Sequence, residues 1–182
     1  DGLRRYAARA KEAISLSTAG TITARGADAW AINTNNRMAA TGTTSLTSTS
    51  ITVDAGGVVQ SGSASHGAIR ISDAFGQVEV VNEGSIRADA NTAILTDQYT
   101  TNITNDTSAF IQGDITYQAS GHIAANQPTL HNGGTIQGSV TGPWDYQLAT
   151  GGRHHLMVDL SAGIPDSIQV RSLKAHDPGS II

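Results

Sequence analysis

The sequence predicts an all-β chain whose repeats stack as a solenoid, and three observations carry that expectation. First, one pattern recurs: a turn residue, a Gly, a small polar residue, then a β-branched apolar one. It is clearest in Asn82-Glu83-Gly84-Ser85-Ile86 and Asn132-Gly133-Gly134-Thr135-Ile136, and looser in Thr18-Ala19-Gly20-Thr21-Ile22 and Asp54-Ala55-Gly56-Gly57-Val58. Asn and Gly tolerate positive φ, whereas Ile and Val suit a half-buried pleated surface, so each copy reads as one turn feeding one short strand. Second, the copies recur at intervals of 37 residues from Gly20 to Gly57, 27 from Gly57 to Gly84 and 50 from Gly84 to Gly134. Periods of about 20 to 50 residues belong to stacked repeats. The longest interval has room for two repeats, the hidden one starting at Gln112-Gly113-Asp114-Ile115 or Ser120-Gly121-His122-Ile123. Third, a second apolar point keeps phase with the first. Ile32 and Ile69 each stand 12 residues after a turn Gly and Ile94 stands 10 after, and each follows an Ala.

Composition agrees. Aromatics are 4% and charged residues 14%, with 20 Gly, so small and β-branched side chains must fill the interior. A net charge of -4 gives no basic footprint for nucleic acid. The absence of Cys excludes disulfides and thiolate metal sites. It also suits a chain threaded unfolded through a pore. No apolar run of about 18 residues and no signal-peptide pattern occurs, so no direct membrane insertion is expected.

Residues 1–14 differ from the rest. Leu3, Tyr6, Ala7, Ala10 and Ile14 fall at helical spacing, and the segment carries four basic and two acidic residues, leaving -6 elsewhere. A helical or extended N-terminal segment that caps or precedes the stack is expected there. Residues 15–150 are assigned to the coils. Ile51-Thr52-Val53, Ile69-Arg70-Ile71 and Gln77 to Val81 alternate at period 2, as strands do. The Thr- and Ser-rich tract Thr41 to Thr52 reads as a loop or edge strand, and Asn102 to Ser108 as a polar excursion. Pro143-Trp144-Asp145-Tyr146 interrupts the pattern, offering aromatics either to a sugar ring or to the end of a core. Residues 151–182 are expected to form a C-terminal cap, incomplete in this chain, with a hairpin-like pair of strands around Gly163-Ile164-Pro165-Asp166.

Asn132 to Val140 resembles the Asn-x-Gly-x-Ile-x-Gly-x-Val rungs of autotransporter passenger domains, the exported part of type V secretion proteins of Gram-negative bacteria. Gly152, Val158-Asp159, Ala162-Gly163 and Asp166-Ser167-Ile168-Gln169-Val170 are similar, in order, to that family's autochaperone-like cap. The resemblance implies a right-handed parallel β-helix secreted or held at the cell surface, with a translocator β-barrel outside this fragment. It supplies no catalytic residues.

Chemistry is therefore weighed from the residues. Asp54, Asp73, Asp89, Asp97, Asp106 and Asp114 are scattered singly beside turns. A catalytic pair would need two of them on neighbouring coils about 4.8 Å apart, and the spacing selects none. His154 and His155 are adjacent, so a strand points them to opposite faces, while His66, His122, His131 and His176 stand alone. No catalytic residue, metal ligand or cofactor is assigned. The expected function is a structural or adhesive module that binds a host surface or glycan, or associates with itself. The alternative is a β-helical polysaccharide lyase or tailspike-type glycosidase. Ile22, Val58, Ile86 and Ile136 are expected to line the interior.

Overall fold

The computed structural model describes residues 3–6, 14–36, 48–63, 65–73, 77–97, 100–118, 128–156, 166–177 and 181–182. In chain order its strands are β1 (Leu3–Tyr6), β2 (Ile14–Thr18), β3 (Thr21–Ala24), β4 (Ile32–Asn36), β5 (Thr49–Val53), β6 (Val58–Ser61), β7 (Ile69–Asp73), β8 (Gln77–Asn82) and β9 (Ser85–Thr96). They continue with β10 (Thr100–Asn105), β11 (Phe110–Tyr117), β12 (Thr129–Asn132), β13 (Thr135–Gln137), β14 (Val140–Thr141), β15 (Asp145–Leu148), β16 (Arg153–His155), β17 (Ile168–Gln169) and β18 (Ser172–Ala175). The described residues are all-β, without a helix, and lie in one sheet of eleven strands and one of seven.

Every strand of the seven-stranded sheet pairs in parallel with its counterpart one repeat along the chain, in the order β2-β5-β8-β10-β12-β15-β18. The larger sheet is built likewise in two files. One runs β3-β6-β9-β11-β13-β16, the other β1-β4-β7-β9-β11-β14-β17, and the long strands β9 and β11 belong to both. Each repeat thus supplies one level to all three files.

The register is in phase apart from a shift between Gln112 and Ile115, where β9 holds extra residues against β11, so like positions stack into columns. Ile32, Ile69, Ile94, Ile115, Val140 and Ile168 are successive partners in one file, and the first five are at most 1% exposed. Ile22, Val59, Ile86, Ile111 and Ile136 form a second column, in which His154 takes the next level and Ile181 is bridged to His154 in turn. Ile51, Val80, Ile103 and Leu130 make the third, continued by Tyr146. The interior is thus a stack of matched aliphatic layers, each buried methylene contributing about 0.8 kcal/mol.

Several expectations are corrected here. Val58 is half-buried and faces outward; Val59 holds the column, because the Gly56-Gly57 pair leaves the phase of the following strand ambiguous by one residue. The hidden repeat begins at neither Gly113 nor Gly121 but at Ala109-Phe110-Ile111, with Phe110 paired to Ser85 before it and Thr135 after it. Corners entering this file alternate between two residues, as in Glu83-Gly84, and four, as in Asp106-Thr107-Ser108-Ala109. The longer corners are closed by bonds from Gly57 N to Asp54 O, Ala109 N to Asp106 O and Gly152 N to Ala149 O. Each has a left-handed third residue: Gly56 at φ 81°, Ser108 at 72° and Gly151 at 80°. Ser108 does there what Gly does elsewhere, and that concealed the repeat.

Thr49 to Thr52 lies in β5, a central strand paired on both sides, and Asn102 to Asn105 lies in β10; neither is a loop. Residues 41–47 lie outside the described set. Of the two expected forms of the N-terminal segment, helical or extended, Leu3–Tyr6 takes the extended one, as a strand in register with β4. Helix propensity offers only tenths of a kcal/mol per residue, less than a backbone ladder alongside an existing sheet edge; residues 7–13 are not described. At the other end β16, β17 and β18 continue the parallel files instead of forming the expected hairpin, whose turn at residues 157–165 is also outside the described set.

The one-residue phase of the second column gives a direct test. Val59→Asp should cost at least about 4 kcal/mol, because it buries a carboxylate without a partner, whereas Val58→Asp should cost under about 1 kcal/mol. Urea unfolding followed by far-ultraviolet circular dichroism distinguishes the neighbours.

Candidate functional site

Inside the stack, a file of polar side chains replaces apolar ones at the end of the seven-stranded sheet's strands. Asn82, Asn105 and Asn132 are register partners through three successive levels and are fully buried. Asn82 Nδ2 donates to Asn105 Oδ1 at 2.8 Å, and Asn105 Nδ2 donates to Asn132 Oδ1 at 2.7 Å. The amide carries two donors, and the second of each reaches a backbone carbonyl one level on: Phe110 O at 3.2 Å, Thr135 O at 3.2 Å and Arg153 O at 2.9 Å. Val53 precedes this file and Leu148 follows it, so the ladder occupies three levels of an otherwise apolar position.

The chain of bonds then turns across the interior. Asn132 Nδ2 lies 3.5 Å from Tyr146 Oη, Tyr146 Oη is 2.9 Å from His154 Nδ1, and His154 Nε2 is 2.7 Å from Gly138 O. Gly138 O can only accept, so Nε2 carries the imidazole proton, Nδ1 is the acceptor, and the Tyr146 hydroxyl donates to it. Tyr146 and His154 are both fully buried, with rings edge to face at 5.7 Å between centroids. Burial pushes the Tyr146 phenol up, with the Asn132 bond opposing. Burial also pushes the His154 imidazole below its ordinary range; the Gly138 bond and the charge of Asp166 oppose this, and His155 adds to it. At the ladder's other end Asn82 Oδ1 is buried without a hydrogen-bond partner.

The residues singled out for chemistry lie elsewhere. Asp54 and Asp106, with Glu83 between them, follow directly on the register partners Val53, Asn82 and Asn105 and so form one row along a corner. Asp54 Oδ2 accepts from Ser17 Oγ at 2.7 Å, and Asp106 Oδ1 from the Thr107 amide at 2.8 Å. Asp97 Oδ2 accepts from Ser72 Oγ at 3.0 Å, and Asp114 Oδ1 from the Ser139 amide at 2.8 Å. Asp106 bonds the chain locally, as a turn residue does, whereas Asp54, Asp97 and Asp114 each tie one level to its neighbour. The side chains of Asp73 and Asp89 are outside the described set, as is His122.

His155 points away from His154, as strand alternation requires, while His131 and His176 are exposed. His66 meets Ser65 and Asp28, a combination of types found in hydrolases, yet the geometry differs. Ser65 Oγ lies 3.1 Å from His66 Nδ1 and 2.8 Å from Asp28 Oδ1, so serine and carboxylate crowd one ring nitrogen instead of occupying the two that a relay needs. Among the described residues no group of three or more His, Asp or Glu side chains is placed to hold a metal ion. Trp144 and Tyr146 are fully buried, and the Trp144 indole donates to Thr141 O at 3.2 Å, so neither ring is presented to a sugar.

Sequence reasoning missed the polar file because Asn before Gly is also the commonest turn signal. The available clue was that Asn ends the strand in three of the repeats, at 82, 105 and 132, whatever the corner after it. In comparisons with protein-family models, curated proteins and solved structures, the chain matches none.

Asn105→Val should destabilise the fold by about 2 to 5 kcal/mol, because it orphans the Asn82 amide and the Asn132 carbonyl oxygen inside the core. A double-mutant cycle with Asn82→Val should show a combined cost smaller than the sum, since the second change removes a group already left without its partner.

Proposed function

We propose that the chain is a run of right-handed parallel β-helix coils from an autotransporter-like passenger, and that it works at the cell surface of a Gram-negative bacterium, or in secreted form, as a rigid, non-enzymatic module for adhesion or self-association. The in-phase pairing of every repeat supports the β-helical reading, and right-handed crossovers are the strong rule for parallel strands joined in this way. A β-barrel translocator belongs to this reading as a partner outside the fragment. Among the described residues no helix is long and apolar enough to cross a membrane.

The observation that carries the functional reading is the outer surface of the seven-stranded sheet. Two unbroken rows face solvent across its seven strands. One passes through Ser15, Ser50, Glu79, Asn102, Thr129, Asp145 and Ser172, the other through Ser17, Thr52, Val81, Thr104, His131, Gln147 and Lys174. Polar side chains, interrupted by Val81, are repeated here on a regular backbone lattice, an arrangement suited to laying against an extended glycan, a host surface or a second copy of the chain.

The polysaccharide-cleaving alternative would draw on the corner row Asp54, Glu83 and Asp106, where, among the described residues, carboxylates recur at successive levels. The two readings separate on product formation. The chain should bind or self-associate, measured on a glycan panel and by sedimentation velocity, without releasing reducing ends. The triple variant Asp54→Asn, Glu83→Gln, Asp106→Asn should bind as the wild type does. Reducing ends released by the wild type and lost in the triple variant would favour the enzyme.

A further inference from the structure

We propose that His154 is a proton-operated latch that holds the C-terminal levels of the stack closed while its imidazole is neutral and releases them when it is charged. The inference does not depend on what the outer faces bind.

The latch joins two levels. His154 stands on β16, opposite Ile136 in the preceding level. Its Nε2–H donates to Gly138 O, at the corner after β13, and its Nδ1 accepts from Tyr146 on β15, whose oxygen accepts in turn from Asn132 on β12. In this arrangement every donor has an acceptor only if the imidazole is neutral. A second proton on Nδ1 would face the Tyr146 oxygen, and the hydroxyl hydrogen would then have to turn away, where Asn132 Nδ2 offers another donor. A column position that is aliphatic in the five preceding levels offers no polar side chain there to take up the conflict.

The charged groups around the latch do not relieve it. Asp166 attracts a charged imidazole but lies on the segment before β17, where its Oδ1 accepts from Ser139 Oγ at 3.3 Å; His155, on the opposite face of β16, repels it. On β15 the Arg171 and Ser172 bonds hold the Asp145 carboxyl below its ordinary range, so that group stays ionised through the pH interval in which a histidine titrates.

Opening these levels breaks short ladders. The strands β16, β17 and β18 have three, two and four residues, and Ile182 adds two backbone bonds to β16 and its neighbour, from Ile182 N to His154 O and from Leu156 N to Ile182 O. Short ladders with few backbone bonds open more readily than long ones. With the imidazole disfavoured as a cation in the closed form, closure has its full strength above a pH of about 6.5. It weakens as the pH falls from there toward the lower value of the closed state, by up to about tenfold in the opening equilibrium per pH unit.

Hydrogen exchange followed by mass spectrometry on the full chain, corrected for intrinsic rates, tests this at pH 7.5, 6.5 and 5.5. Between pH 6.5 and 5.5 the wild type should show a rise of up to about tenfold in opening over 129–156 and 166–177, with no matching rise over 49–82. His154→Gln, which can still donate to Gly138 O and accept from Tyr146, should be flat over this interval, and His155→Gln should keep the wild-type rise. A rise that survives His154→Gln, or no rise in the wild type, overturns the proposal. Should His154→Gln fail to fold, nitrogen-15 spectra of the wild-type histidines decide. An imidazole at 154 that titrates at the ordinary value while the β13 and β16 amides stay protected would be equally fatal.

Discussion

Everything in this molecule depends on parallel strands pairing in phase with the same strands one repeat on. Such a ladder places equivalent residues about 4.8 Å apart, so each interior position must be compatible above all with its own kind. Ile on Ile satisfies that condition without geometric refinement, and this is why the columns through Ile69 and Ile86 run through five and four further levels, all of them Ile or Val. Polar residues satisfy it only if they donate and accept along the same axis.

Asparagine meets that second condition, as the file at 82, 105 and 132 illustrates. Its amide passes one hydrogen bond to the next level and uses its remaining donor to hold a backbone carbonyl of the neighbouring file. A ladder of this kind has a direction, and its two ends pose different problems. One end leaves an acceptor, Asn82 Oδ1, against the apolar Val53 level. The other presents a donor, and the Tyr146–His154–Gly138 relay absorbs it. The polar file is thus best satisfied at the levels of β15 and β16, where Tyr146 and His154 take positions that are aliphatic in the levels before them.

The division of labour between inside and outside follows from the same ladder. Strand alternation sends one set of positions to the columns and the other to solvent, so a regular interior produces a regular exterior at no extra conformational cost. Among the described residues the carboxylates fall on corners and outward positions, where Asp54, Asp97 and Asp114 bond hydroxyls or backbone of the neighbouring level. That placement suits a surface which displays side chains more than one which converges them on a reacting atom.

The sequence by itself determined the class of structure: the recurrence of turn and β-branched residue, and the second column at Ile32, Ile69 and Ile94, can be read directly because β pairing in phase demands repetition of residue type. It could not show the fourth level, where Ser108 and Ala109 stand in for glycine, or the one-residue phase of Val58 and Val59, because a local turn looks alike in either register. Nor could it separate a turn-forming asparagine from a core ladder, a solvent-facing Tyr146 from a buried one, or a helical Leu3–Tyr6 from a strand. Those outcomes were decided only by tertiary structure: which backbone lies alongside fixes the face each side chain takes, and the neighbours one level away decide whether a polar atom has a partner.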